Sequence, residues 1–194
     1  MASNVCSGWD NSDCEGTEHC PPRCPRYIDD AGDPVLIELY DVPVDESLLA
    51  MYDAVETTTM ALPPDDPAER KRWLRRLTSE GWNLVATCND EIVGHVAVVP
   101  ADASEPEFVI FVHPQYQNRG IGTELLEHVV AHADHREHDE LQLNVSRDRP
   151  RAIAVYEKVG FNVTSTNVID LEMALPLEEP IVTAVQQPPA DRDR

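Results

Sequence analysis

The chain has 194 residues, and its 36 aspartates and glutamates outnumber its 15 lysines and arginines, giving a net charge of −21. That balance argues against a nucleic-acid or anionic-membrane partner, because repulsion from phosphates replaces the counterion release that drives such binding. No apolar run is long enough to span a bilayer and no basic-then-apolar leader opens the chain, so a cytoplasmic protein is expected, one domain with tails.

Residues 1–34 are rich in Cys, Asp, Gly and Pro and poor in hydrophobes, so this extension cannot build a core of its own. It holds Cys6, Cys14, Cys20 and Cys24. A metal or covalent staple would order such a segment, and the four thiols are candidate ligands of a structural zinc. Their spacing lacks paired Cys-x-x-Cys knuckles, so redox-active or incidental thiols stay open as the alternative. Cys88 stands apart and reads as a small buried residue.

A first strand is expected over 35–40, then a helix over 47–55 with Leu48, Leu49, Tyr52 and Val55 at helical spacing. Asp66 before Pro67 forms an N-cap and first-turn proline for a second helix that runs to Ser79. Residues 83–88 and 91–99 read as strands joined by Asn89-Asp90, a two-residue hairpin turn. Residues 107–112 form the next strand, Ile121 to about Asp134 an amphipathic helix, and 141–145 an alternating strand. A helix follows, with Ala152, Val155 and Val159 on one face and Gly160 as its left-handed cap. Two short strands over 161–175 complete the domain. Residues 177–194, with Pro, Gln and alternating Asp and Arg, read as a disordered tail.

Between the 107–112 strand and the following helix lies Gln117-Asn118-Arg119-Gly120-Ile121-Gly122. A strand that opens into a helix through two glycines leaves unpaired backbone N–H groups at the positive end of the helix dipole. A pyrophosphate fits there, and glycines remove the Cβ atoms that would hold it away. The loop has neither the third glycine of a dinucleotide fingerprint nor the Gly-Lys-Ser/Thr of a triphosphate loop.

The stretch from Val112 to Gly122 resembles the acetyl-CoA-binding motif of the GNAT N-acetyltransferases, Gln/Arg-x-x-Gly-x-Gly/Ala. Arg151 to Phe161, ending in Tyr156-Glu157-Lys158-Val159-Gly160-Phe161, resembles the family's later motif. The resemblance covers residues 35–176. It implies the GNAT acyl-CoA N-acyltransferase fold, an α+β architecture with a central, mostly antiparallel mixed sheet flanked by helices. It also implies transfer of an acetyl group from acetyl-CoA to a primary amine of a small molecule or protein. Acid enrichment with few lysines suggests a halophilic archaeal member, and a solubilising surface is the plainer reading of the same charge.

The resemblance further implies roles for individual residues. Ile110, Phe111 and Val112 would offer backbone hydrogen bonds to the pantetheine arm and acetyl carbonyl. Gln117, Asn118, Arg119, Gly120, Ile121, Gly122 and Thr123 would cradle the pyrophosphate. Tyr156 would be the general acid toward the CoA sulfur, since a phenol keeps its proton at neutral pH. Glu107 is the candidate base, with a solvated strand-end carboxylate as the competing reading. Two departures stand out: Arg149 occupies a position where the family often has Asn, and Asn144 one where ribosomal-protein acetyltransferases carry a Glu base.

Arg70, Lys71, Arg72, Arg75 and Arg76 form a basic cluster that reads either as a CoA-phosphate anchor or as a solvated helix face. His128, His132 and His135 share one helical edge, as core or end-of-helix residues or as metal ligands. A homodimer is compatible with all of this. The alternative function is a non-catalytic acyl-CoA-binding or regulatory module, with the Cys-rich extension as its docking element.

Overall fold

The computed structural model describes residues 9–57 and 62–192. One eight-stranded sheet organises them, built from β1 (Arg26–Ile28), β2 (Pro34–Leu39), β3 (Trp82–Cys88), β4 (Glu91–Val99), β5 (Glu107–Val112), β6 (Glu140–Ser146), β7 (Asn162–Thr166) and β8 (Asp170–Pro176). Their order across the sheet is β1-β2-β3-β4-β5-β6-β8-β7. Every neighbouring pair is antiparallel except β5 and β6, which run parallel. The helices are α1 (Glu46–Asp53), α2 (Pro67–Glu80), α3 (Ile121–His135), α4 (Pro150–Val159) and α5 (Pro180–Gln186). This is the mixed α+β sheet that the motifs implied.

Strand alternation sends side chains into two cores. On β3, Leu84 and Ala86 join a large cluster under α3 with Leu125, Leu126, Val129, Leu143 and Met173. Val85 points the other way, into a smaller cluster with Tyr40, Leu48, Met51, Tyr52 and Leu74 beneath α1 and α2. Local chemistry sets the element ends as expected. Asp66 accepts from the Glu69 N–H at 2.8 Å with Pro67 in the first turn of α2. Asn89 and Asp90 both adopt positive φ, 52° and 65°, as a tight β3–β4 hairpin demands. Gly160 caps α4 at φ 104°. Among the described residues no helix is long and apolar enough to cross a membrane.

Both tails depart from the sequence reading. The first strand of the sheet is β1, inside the segment read as a separate extension, and the 29–33 turn joins it to β2. Arg23 is buried, donating to both carboxylate oxygens of Glu124 on α3 at 2.8 and 2.9 Å and to the Val185 carbonyl at 2.6 Å. The segment read as a disordered tail contains α5, which buries Val182 and Val185 against the core beside α3. The two ends also meet directly, the Ala190 N–H donating to the Cys14 carbonyl at 3.1 Å. The physical reasons differ: the N-terminal segment is held by β1–β2 pairing and the buried Arg23–Glu124 ion pair, and the C-terminal one by burial of Val182 and Val185 beside α3.

Candidate active site

The parallel pair β5–β6 is in register only at Glu107 and Gln142. Beyond that point the strands separate, and a cleft of about 580 Å³ opens where they part. Ile110 and Val112 line one wall from β5, the 117–123 loop and first turn of α3 form a second, and Arg149 to Tyr156 on α4 form a third. Two helices therefore begin at this cleft. Unlike α1 and α2, which Asp45 and Asp66 cap, neither α3 nor α4 has a side-chain cap. Their first-turn N–H groups are free for an anion, and the helix dipoles favour one.

The loop's two glycines have different reasons to be glycine. Gly120 sits at φ 82°, and a Cβ there would fall 2.0 Å from the Tyr27 hydroxyl. Its smallness serves the protein's own packing, and Gly120 also lines the cleft. At Gly122 the nearest neighbour of a Cβ is Val112 Cγ2 at 3.6 Å, an ordinary contact. The fold has room for a side chain at 122, and that room is the cleft.

The other loop residues divide in the same way. Asn118 turns the chain at φ 58° and lines the cleft with Thr123. Gln117 also lines it, and its side-chain amide donates to the Val112 carbonyl at 3.0 Å, tying the loop to the end of β5. The Ile121 side chain is fully buried in the core. The Arg119 guanidinium faces away from a phosphate role and is paired with Asp29 and Asp33. Phe111 points to the opposite side of β5, its ring 5.4 Å from Tyr52 and 6.0 Å from Trp73.

Tyr156 is half-buried on the cleft wall, edge-on to Phe108 and Phe161 at 6.2 and 6.0 Å between centroids. Loss of water around the ring pushes its phenol up to about 12, against a smaller opposing pull from Arg149. Its hydroxyl has no hydrogen-bond partner among the described residues, so its proton is available. Arg149 and Arg151 also line the cleft, and neither has a carboxylate partner among the described residues. In a chain of net charge −21, these two guanidiniums outnumber the one carboxylate that lines the same cleft, Asp148. Glu107 lies at the closed end of the β5–β6 pair, exposed and accepting from the Asn144 side chain at 3.0 Å.

The remaining sequence candidates are structural. Arg70 is buried, bonded to Asp53 at 2.8 Å and to the carbonyls of Pro64 and Asp65, while Arg72 and Arg76 make surface pairs with Glu69 and Glu80. His128 and His132 are buried, and His128 contacts the Glu124 and Cys24 carbonyls at 2.9 and 3.1 Å. His135 is exposed. No group of three or more Cys, His, Asp or Glu suited to a metal occurs among the described residues. The zinc expectation therefore finds no cluster: Cys14, Cys20 and Cys24 do not form one, and Cys6 lies outside the described residues. Cys20 and Cys24 instead accept hydrogen bonds from the Thr17 N–H and the Asn11 side chain, each at 3.2 Å.

Two uncapped helix N-termini meet at a cleft cut into the sheet at its one parallel junction, and these features define the protein as one of the mixed α+β class. The chain belongs to the acetyltransferase (GNAT) family, whose model matches residues 48–161. It is 35% identical over 80 residues to the ribosomal protein bS18-alanine N-acetyltransferase of Salmonella typhimurium, covering 41% of this chain and 54% of that one. It is 30% identical over 101 residues to an L-amino acid N-acetyltransferase of Escherichia coli, covering 48% and 62% respectively. The alignments thus span little more than half the length of these relatives. The GNAT domain of S. lividans PAT superposes with a TM-score of 0.68 at 21% identity, covering 78% of this chain and 95% of that one, a likeness of fold.

Proposed function

We propose that the protein is an N-acetyltransferase that moves an acetyl group from acetyl-CoA to a primary amine within a ternary complex. The observation that carries the reading is the cleft at the β5–β6 divergence, with uncapped helix N-termini and unpaired Arg149 and Arg151 beside the half-buried Tyr156. The N–H groups of the 118–123 loop would hold the pyrophosphate, with Arg149 and Arg151 adding charge where the family's usual amide is missing. The open backbone edge of β5 from Ile110 to Val112 would hold the pantetheine arm and polarise the acetyl carbonyl. The amine attacks that carbonyl, a C–N bond forms, the C–S bond breaks, and Tyr156 gives its proton to the departing sulfur. Glu107 would take the proton released by the amine.

Of the relatives, the two described above are named for N-acetylation of an alanine of a ribosomal protein and of L-amino acids. We therefore place α-amines first among the acceptors. The surface charge supports a protein working in concentrated salt. The test is calorimetry with acetyl-CoA at low and high salt, followed by CoA release with a panel of α-amines, polyamines and N-terminal peptides. Binding with amine-dependent CoA release is the expected result. Binding with no release by any amine would leave only a coenzyme-binding module.

A further inference from the structure

We propose that the hairpin turn of residues 27–33 is a latch that holds the coenzyme loop in its binding position, with Arg119 as the positioning residue at its centre. The inference rests on the cleft reading above. Five contacts converge on one residue of the loop, four of them from the turn. The Arg119 guanidinium pairs with the carboxylates of both Asp29 and Asp33. Its backbone carbonyl accepts from the Asp30 N–H at 3.1 Å and from the Tyr27 hydroxyl at 3.3 Å. The Tyr116 ring stacks under the same guanidinium at 4.9 Å.

The turn is itself rigid. The Asp29 side chain is fully buried, and its Oδ1 accepts from the Ala31 and Asp33 N–H groups at 3.0 and 2.9 Å, so the Asp29 carboxylate facing Arg119 is set by backbone bonds. Burial, then the charge of Asp30, pushes the Tyr27 phenol up to about 12, which keeps it a donor to the Arg119 carbonyl. The next residue, Gly120, packs against that same hydroxyl. Residue 119 lies within the 118–123 loop whose N–H groups are assigned to the pyrophosphate, and its carbonyl shares a peptide unit with the Gly120 N–H, so a shift of that carbonyl moves those donors. The pairing also offsets one of the two carboxylate charges that would otherwise repel a phosphate beside the loop.

A loop in its competent position only one-tenth of the time raises the apparent Kd about tenfold. Arg119→Gln is expected to do this for acetyl-CoA, with kcat at saturation unchanged. Hydrogen exchange of amides 118–124 in the ligand-free protein should speed up in parallel. Arg119→Lys, which keeps the charge between the two carboxylates, should recover most of both effects, and Tyr27→Phe should show a smaller change in the same direction. These two carry the test if Arg119→Gln does not fold. Arg70→Met, which breaks an ion pair on α2, controls for lost stability and should leave loop exchange unchanged. Lost affinity with unchanged loop exchange would mean that Arg119 touches the phosphate directly, and the latch would be wrong. Faster exchange with unchanged Kd would equally overturn it. Failure of the wild-type protein to bind acetyl-CoA would instead sink the functional reading, a result separate from the exchange measurement.

Discussion

The Tyr27 hydroxyl occupies the space into which a side chain at Gly120 would grow, 2.0 Å from the position of its Cβ. A strand near the N-terminus thereby sets the residue required in a loop in the middle of the chain. The two glycines of that loop consequently respond differently to the same substitution.

Gly120→Ala should destabilise the protein by about 1–3 kcal/mol from the left-handed backbone alone, with further cost as Tyr27 shifts. Gly122→Ala should leave stability unchanged or raise it by up to about 1 kcal/mol, since alanine is the better helix residue and the site has room. Gly122→Ala should nonetheless weaken acetyl-CoA binding by about tenfold, roughly 1.4 kcal/mol. Urea denaturation and calorimetry on both variants check this. Full acetyl-CoA affinity in Gly122→Ala would show that the room at 122 is not used by the coenzyme.

Tyr156→Phe should lower kcat by about 10²–10⁴-fold with little change in acetyl-CoA affinity, because only the proton is removed. The ring keeps its edge contacts with Phe108 and Phe161, so the melting temperature should hardly move. Wild-type turnover in a single-turnover experiment that isolates the chemical step would remove Tyr156 from the reaction.

Arg23 and Glu124 form a buried pair that joins the N-terminal segment to α3. Burial alone would raise the Glu124 carboxyl, yet the hydrogen bonds and charge of Arg23 lower it, so the pair is ionised. Arg23→Met should cost about 3–5 kcal/mol because it strands a buried carboxylate. The double variant with Glu124→Leu should recover a large part of that loss. Equal instability of the single and double variants would show that packing, not charge, makes Arg23 necessary.

Three buried histidines predict acid lability. Burial lowers His95 to about 3, and His128 and His132 to about 4, against an ordinary 6.5. The folded state therefore resists protons that the unfolded chain accepts below about 6.5. Stability from these residues is complete above that pH and is lost as pH falls toward 4, at about 1.4 kcal/mol per pH unit for each histidine. Urea midpoints between pH 5 and 6.5 isolate this slope from most carboxylates. His132→Phe, which keeps a ring beside Trp82, should reduce the slope by about a third. An unchanged slope in that variant would refute the assignment.

Much of the architecture was legible because it is locally encoded. Asp66-Pro67 starts a helix, Asn89-Asp90 closes a hairpin and Gly160 ends a helix through interactions spanning a few residues. The glycine loop between strand and helix, and Tyr156 one short helix further on, likewise depend on chemistry carried by contiguous residues. These segments locate β2 to β8 and the helices α1 to α4, and with them the walls between which the candidate cleft opens.

The tertiary structure alone decided what the two ends of the chain do. Ile181, Val182 and Val185 had helical spacing, and Tyr27-Ile28 before the Gly32 turn had strand character, but both signals were short and set among Pro, Asp and Cys. Segments so poor in apolar residues gain order only when they pair with or pack on the rest of the fold, and sequence order gives no measure of those contacts. For the same reason the sequence assigned Arg119 only a place in the loop, whereas the fold commits its side-chain charge to Asp29 and Asp33, far away in sequence. An ion pair depends on distance in space, and only the folded sheet brings the β1–β2 turn to the coenzyme loop.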